Sequence, residues 1–439
     1  MSVPRSSTSV LRSVPAQLRA SRTFSTSSPA SVPVAALNET APVVSLTVAA
    51  RAGPGFETTE GVSHALKNFA FKSTNSRSAL RIVREAELNG GVLSASLSKE
   101  HLLLTAEFLK GDEDYFAELL AEVVSSTKYC KYEYSEEVIP SIVADVEQAS
   151  QDPVVRGLES LLATAYRNSG VGASLFVNPA APVSVDAVRS FAGQALNRAN
   201  LAVVGSGMSQ QALQSLVEAH FSEVPAGEAL KPTESKYYGG DFRAPITDSH
   251  GHPLPQDHFF LAFEGASRSK GPEVAVLEAL LGGEPSVKWS HGASPLARIR
   301  QQVEGARAHS FSASFQSTGI LGLHVAAPTG KVTDAAKLAV EALKNVASGA
   351  PAAEELSRAK ANAKFAAASQ LEGSRIASHE TGAALLLDGA KVSVEEQLAA
   401  LEGVSATDVS TLAESLLKSK PTAAALGAVK QLPYADELL

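Results

Sequence analysis

Two stretches decide the fold: ELNGGVLSASLSKEHLLLTAEFL (Glu87–Leu109) and QVEGARAHSFSASFQSTGILGLHVAAP (Gln302–Pro328). Each opens where a helical pattern stops at glycine, LRIVREAELNG in one case and LARIRQQVEG in the other. Each then runs as two strands about a polar turn, Ser98–Glu100 in the first copy. Each is followed by an amphipathic helix, DEDYFAELLAEVVSS or VTDAAKLAVEALKNVASG. The second copy lies about 215 residues after the first, roughly half the chain, which is the signature of internal duplication. The predicted fold is therefore α+β: two homologous domains, each a mainly antiparallel sheet covered by helices.

Working outward, VVSLTVAAR (Val43–Arg51) reads as a strand. Thr59–Lys72 reads as a helix, with Val62, Leu66, Phe69 and Ala70 at helical spacing. Further helices are expected near 136–149 and 153–168. ANLAVVGSG then forms a strand, and SQQALQSLVEAHF a helix with Ser209 as its N-cap. Residues 227–257 are rich in Gly, Pro and polar residues and read as a linker. The strand HFFLAFEG and the helix PEVAVLEALLGG restart the pattern. The expected division is 36–226 for the first domain and 258–433 for the second.

Residues 1–31 differ from the rest. They hold Arg5, Arg12, Arg19 and Arg22, many serines and no acid, which is the composition of a mitochondrial transit peptide. Cleavage is expected after Phe24, with a second trimming to Val32 as the alternative. Losing those four arginines takes the net charge from −8 to −12. An acidic body with no basic stripe excludes a nucleic-acid binder. One cysteine, Cys130, excludes an intrachain disulfide. No run approaches the roughly eighteen apolar residues of a membrane span.

The predicted first helix carries His64-Ala65-Leu66-Lys67-Asn68. In the inverted zinc motif H-x-x-E-H, two histidines four apart hold a metal and the glutamate activates water. Here only His64 remains. Lys67 puts an ammonium where a base should stand, and Asn68 offers an amide, a poor zinc donor. The expected site is thus a degenerate one: no catalytic residue, no metal and no cofactor.

The surroundings carry a family resemblance. RAGPGFETTEGVSHALKNFAFKST, then GGVLSASLSKEHLLLTAEFLK with Gly90, Ala95, Ser98, Glu100 and His101, resembles the pitrilysin-type peptidase superfamily. LLATAYRNSGVGASLFVNP (Leu161–Pro179, with Gly172) and RANLAVVGSG extend the likeness, which spans about Pro42–Pro433. It implies a glutamate ligand about 76 residues past the motif. The count falls on Ala144; Asp145 and Glu147 are beside it and are expected to lack metal partners. Within the superfamily the second half is similar to the non-catalytic core subunits of mitochondrial ubiquinol–cytochrome c reductase. The residues are Pro285, Val287, Lys288, Ser294, Leu296, Ala313, Ser314 and Gly319. This implies a structural subunit, peripheral on the matrix side of the inner membrane. Its implied partners are a related core subunit and other subunits of the complex, including the cytochrome b region. The alternative is the non-catalytic alpha-type subunit of the matrix processing peptidase, which binds presequence peptides through a glycine-rich loop. Here that loop has only Gly282, Gly283 and Gly292 around Pro285 and Trp289, which favours the core type.

Other signals are weak. His250, His252 and His258 are close in sequence but read as a solvated loop. VVGSGMS (Val203–Ser209) lacks a full phosphate-binding pattern, and Gly330-Lys331 lacks a Walker motif. Cys130 reads as a quiet buried thiol.

Overall fold

The computed structural model describes residues 31–247, 251–265, 270–284, 292–349, 351–389 and 391–439. Residues 1–30 of the transit segment, His250, and the loop residues Pro285, Val287, Lys288 and Trp289 lie outside them.

Two five-stranded sheets form the frame. The first contains β1 (Val34–Leu37), β2 (Val43–Ala50), β3 (Val92–Leu97), β4 (Leu102–Leu109) and β5 (Leu201–Ser206), in the order β1-β5-β2-β4-β3. The second contains β6 (Gly240–Ala244), β7 (Gln256–Glu264), β8 (Arg307–Ser314), β9 (Gly319–Pro328) and β10 (Thr422–Leu426), in the order β6-β10-β7-β9-β8. In each sheet one edge strand pairs parallel, β1 on β5 and β6 on β10, and the other pairings are antiparallel. The two stretches that revealed the duplication are the hairpins β3–β4 and β8–β9.

Helices α1 (Val62–Asn68), α2 (Ala79–Leu88), α3 (Glu113–Ser126), α4 (Ile139–Gln151), α5 (Pro153–Tyr166), α6 (Val185–Ala195) and α7 (Gln210–His220) come from the first half. The second half supplies α8 (Gly271–Leu281), α9 (Val332–Ser348), α10 (Ala353–Glu372), α11 (Ser374–Asp388), α12 (Val394–Gly403) and α13 (Ala406–Lys418). Caps set several starts. Ser184 accepts from Ala187 N–H and Ser209 from Ala212 N–H, as expected for the latter. Asp152 accepts from Val154 and Val155 N–H, with Pro153 in the first turn of α5.

One face of each sheet packs on helices of its own half. Val44, Leu46, Val48, Leu201 and Val203 share a core with Phe116, Leu120 and Phe191; Phe259, Leu261 and Phe263 share one with Leu277, Val340 and Leu412. The other face is covered by a helix from the opposite half. α5 lies on β6, β10 and β7, where Leu161, Ala165 and Tyr166 meet Phe260, Ala262, Ala424 and Leu426. α11 lies on β1, β5 and β2, where Leu385 and Leu386 meet Ala35, Ala49, Ala202 and Val204. The central strands are buried on both faces; in β2 the apolar Val44, Leu46 and Val48 alternate with Ser45, Thr47 and Ala49, which are buried as well.

Both exchanged helices have a glycine at the contact. A Cβ on Gly157 would fall inside the Phe260 ring's contact distance, and one on Gly382 would lie 2.8 Å from the Cβ of Ala49. The two main cores thus lie on either side of 227–257, while α5 and α11 each pack across it onto the other half's sheet. Part of the segment read as linker is also a strand: β6 lies within it, and β7 starts at Gln256. The Gly239-Gly240 pair and the shortness of β6 hid that strand. The preceding stretch is tied down too, with Thr233 N–H on Gly55 O and Tyr238 N–H on Ala165 O.

Gly157→Ala should lower the urea midpoint, by about 1–3 kcal/mol of stability, through overpacking against Phe260. Gly193→Ala in α6, with open space around it, should be neutral or stabilising by up to about 1 kcal/mol. Equal effects at the two sites would remove the close-approach argument.

Candidate functional site

α1 is positioned before any of its motif residues are considered. Gly61 sits at φ +82°, and a Cβ there would meet Val177 at 2.5 Å. Glu57 then caps the helix, its carboxylate accepting from Gly61 N–H at 3.0 Å and Ser63 N–H at 3.2 Å. Burial pushes the Glu57 carboxyl above its ordinary range despite those two donors.

Behind α1 runs the loop 173–177, fixed by a second buried pair. Lys99 Nζ is 2.8 Å from Glu159 Oε2 and donates to Ala173 O at 2.8 Å; Leu175 N–H donates to the same Glu159 oxygen. Burial holds the Lys99 ammonium below its ordinary pKa even beside Glu159. The neighbouring Glu100 accepts Gln316 N–H at 3.0 Å, a tie to the second half of the chain.

The three motif residues converge on one carboxylate oxygen, Asp145 Oδ2 of α4. Lys67 Nζ is 2.6 Å away, His64 Nε2 3.0 Å and Asn68 Nδ2 3.1 Å. His64 Nδ1 accepts Val177 N–H at 3.2 Å. A backbone N–H can only donate, so the imidazole proton is on Nε2 and points at Asp145. The His64 ring is buried, edge-on to Phe176 at 5.5 Å. Burial holds its pKa below the ordinary value, outweighing the Asp145 hydrogen bond, so the neutral tautomer is favoured. For Asp145, burial alone would raise the pKa. The donors from Lys67, Asn68 and His64 outweigh it and hold the carboxyl below its usual range.

This donor set does not fit zinc. A zinc site needs three or four N, O or S ligands at about 2.0–2.3 Å converging on one point. Here one His64 nitrogen is taken by Val177, the other faces Asp145, and an ammonium stands beside the carboxylate. Among the described residues no group of three or more His, Cys, Asp or Glu could hold a metal ion.

The sequence pointed to His64, Lys67 and Asn68, and the structure brings them together. The sequence placed Asp145 near the ligand position without metal partners; the structure surrounds it with three hydrogen-bond donors. The carboxylate is the hub, while Ala144 and Glu147 are exposed on the same helix. The signal available was the adjacency to the count at Ala144; what the sequence did not show is that α4 packs this carboxylate against Lys67. The other weak signals separate. His258 lies on β7 against His324 and not against His252. Val203–Ser209 is a strand–helix turn, with Gly207 at φ +87° close over Val43. Cys130 is half-buried instead of buried.

Comparison with known proteins follows the same lines. The family described as insulinase (peptidase family M16) matches residues 33–179, and the M16 inactive domain matches residues 182–363. The cytochrome b-c1 complex subunit 2 of Cryptococcus neoformans is 41% identical over 95% of this chain and 95% of its own. That of Neurospora crassa is 39% identical over 93% of this chain and 89% of its own. The mitochondrial-processing peptidase subunit alpha of Solanum tuberosum is 29% identical over 86% of this chain and 76% of its own.

Asp145→Asn should cost about 1–2 kcal/mol at pH 7 by leaving Lys67 without its anion. A carboxyl whose folded pKa is depressed stabilises above its ordinary pKa of about 4 and ceases to do so as the pH falls through the depressed value. The wild-type and variant urea midpoints should therefore converge below about pH 4. A gap of constant size across that range would contradict the assignment.

Proposed function

Because the chain belongs to the insulinase (M16) peptidase family, in the branch of the cytochrome b-c1 complex subunits 2, we propose that it is a non-catalytic structural subunit of mitochondrial ubiquinol–cytochrome c reductase. The observation that carries this is the Asp145 hub: a neutral His64, Lys67 and Asn68 spend their polar groups on one carboxylate, leaving neither a metal set nor a general base. The protein supports electron transfer from ubiquinol to cytochrome c by assembly, not by chemistry.

In this reading the chain divides at 227–257, with domains 36–226 and 258–433, and its partners are a related core-type subunit and the cytochrome b region. It sits on the matrix side, peripheral to the inner membrane. No described helix is long and apolar enough to cross a membrane, which agrees with attachment through partners. The similarity to the potato subunit alpha favours a second reading, presequence binding beside a catalytic partner.

Native electrophoresis of mitochondrial extracts should find the chain co-migrating with a respiratory complex, and metal analysis should find sub-stoichiometric zinc. A chain found only in a soluble heterodimer, whose depletion stops precursor cleavage and spares the respiratory complex, would establish the second reading instead.

A further inference from the structure

The second sheet carries three histidines that the Asp145 hub does not use. His258 on β7, His324 on β9 and His309 on β8 form a ladder. His258 Nδ1 is 3.0 Å from His324 Nε2, and His324 Nδ1 is 3.3 Å from His309 Nε2. His258 and His324 stack, ring centres 5.3 Å apart and planes 10° apart; His309 meets His324 edge-on at 4.7 Å. The nitrogens face each other along a line and do not converge on a point, so the ladder is not a metal centre.

Its place in the fold is what matters. His324 is cross-strand from Phe260 and stacks on that ring at 4.1 Å. Phe260 is the ring over which Gly157 of α5 closes. The ladder therefore underlies the contact by which the first half of the chain holds the second sheet. The nearby carboxylates have other partners, although one oxygen of Asp257, Oδ2, is buried without a hydrogen bond. Asp152, at the start of α5, accepts Val154 and Val155 N–H. Asp257 accepts Ala428 N–H, and Glu284 pairs with Arg307 at 3.2 Å. The positive end of the α5 dipole also lies on the Asp152 side.

We propose that the histidine ladder makes the docking of α5 on the second sheet sensitive to pH: neutral rings hold the helix down, and proton uptake by the ladder releases it. A proton added to the closed ladder is desolvated, and the attraction of Asp257 and Asp152 to His258 and of Glu284 to His309 does not offset that burial. Opening α5 hydrates the rings, which then take up protons near their ordinary value of about 6.5. Burial holds all three rings below that value in the closed state, His324 at about 2. A base whose folded pKa is depressed stabilises fully above its unfolded pKa and less as the pH falls below it. Docking should thus be complete above about pH 7 and weaken below about pH 6.5.

Hydrogen exchange of the full chain, corrected for intrinsic exchange rates, tests this. Protection of 153–166 should fall about tenfold or more between pH 7.5 and pH 5.5. Protection of α9, on the opposite face of the same sheet and without histidine, should hold. In His324→Gln the fall should be several-fold smaller than in wild type; if that variant does not fold, the double variant His258→Gln/His309→Gln should show a several-fold smaller fall too. Parallel loss in α5 and α9, or an unchanged fall in the folded variant, would overturn the proposal.

Discussion

The fold depends on an exchange of helices. Each sheet has an outer face that its own half of the chain does not cover, and an uncovered apolar sheet face is unstable in water. α5 closes the second sheet and α11 closes the first. The close approach is made by the absence of a side chain, at Gly157 over Phe260 and Gly382 over Ala49. Each half has a core of its own on one sheet face, and each needs the other half to cover the second face. Duplication produced two similar sheets, each with its own core, and the exchange packs each half on the other. The linker is therefore not a hinge: its strand β6 is paired to β10, and Arg243 on that strand donates to the carbonyls of Val429, Leu432 and Pro433 near the carboxyl end.

The duplication, the hairpins and the first-half helices were legible because their periodicity is local. Val43–Arg51, Glu87–Leu109 and Gln302–Pro328 announce strands by alternation and glycine stops. The exchange was not legible. α5 and α11 look like other amphipathic or mixed helices, and nothing in PVVRGLESLLATAY says which sheet its apolar side will meet. Gly157 in mid-helix is the one local clue, since a glycine there costs helix propensity and needs a packing reason. β6 was hidden by its glycines and proline-rich flanks, which speak for a loop until a neighbour pairs with the strand.

The degenerate motif shows the same division. Residue chemistry alone established that His64, Lys67 and Asn68 cannot act as a zinc set. It did not reveal where Lys67 would find an anion, because Asp145 is distant in sequence and joins α1 only through the packing of α4. The tautomer of His64 was also beyond the sequence, being set by the N–H of Val177 on a loop that Lys99 and Glu159 hold in place.

These two constraints explain why a peptidase frame persists without peptidase chemistry. In a zinc-bearing relative of this frame, a cation would tie the motif helix to the acidic position on the later helix. Removing the metal alone would leave a partly buried carboxylate facing a neutral helix, which carries a desolvation cost without compensation. Placing a lysine beside a bound dication would set two positive charges within a few ångströms of each other. Either change by itself is unfavourable; together they are compatible, because the Lys67 ammonium supplies the positive charge that Asp145 requires. Asn68 and His64 then donate to the same oxygen, so α1 and α4 remain tied by three hydrogen bonds in place of a coordination sphere. The helix pair, the loop behind it and the sheet they cover keep their geometry, and with it the outer surfaces on which an assembly subunit depends.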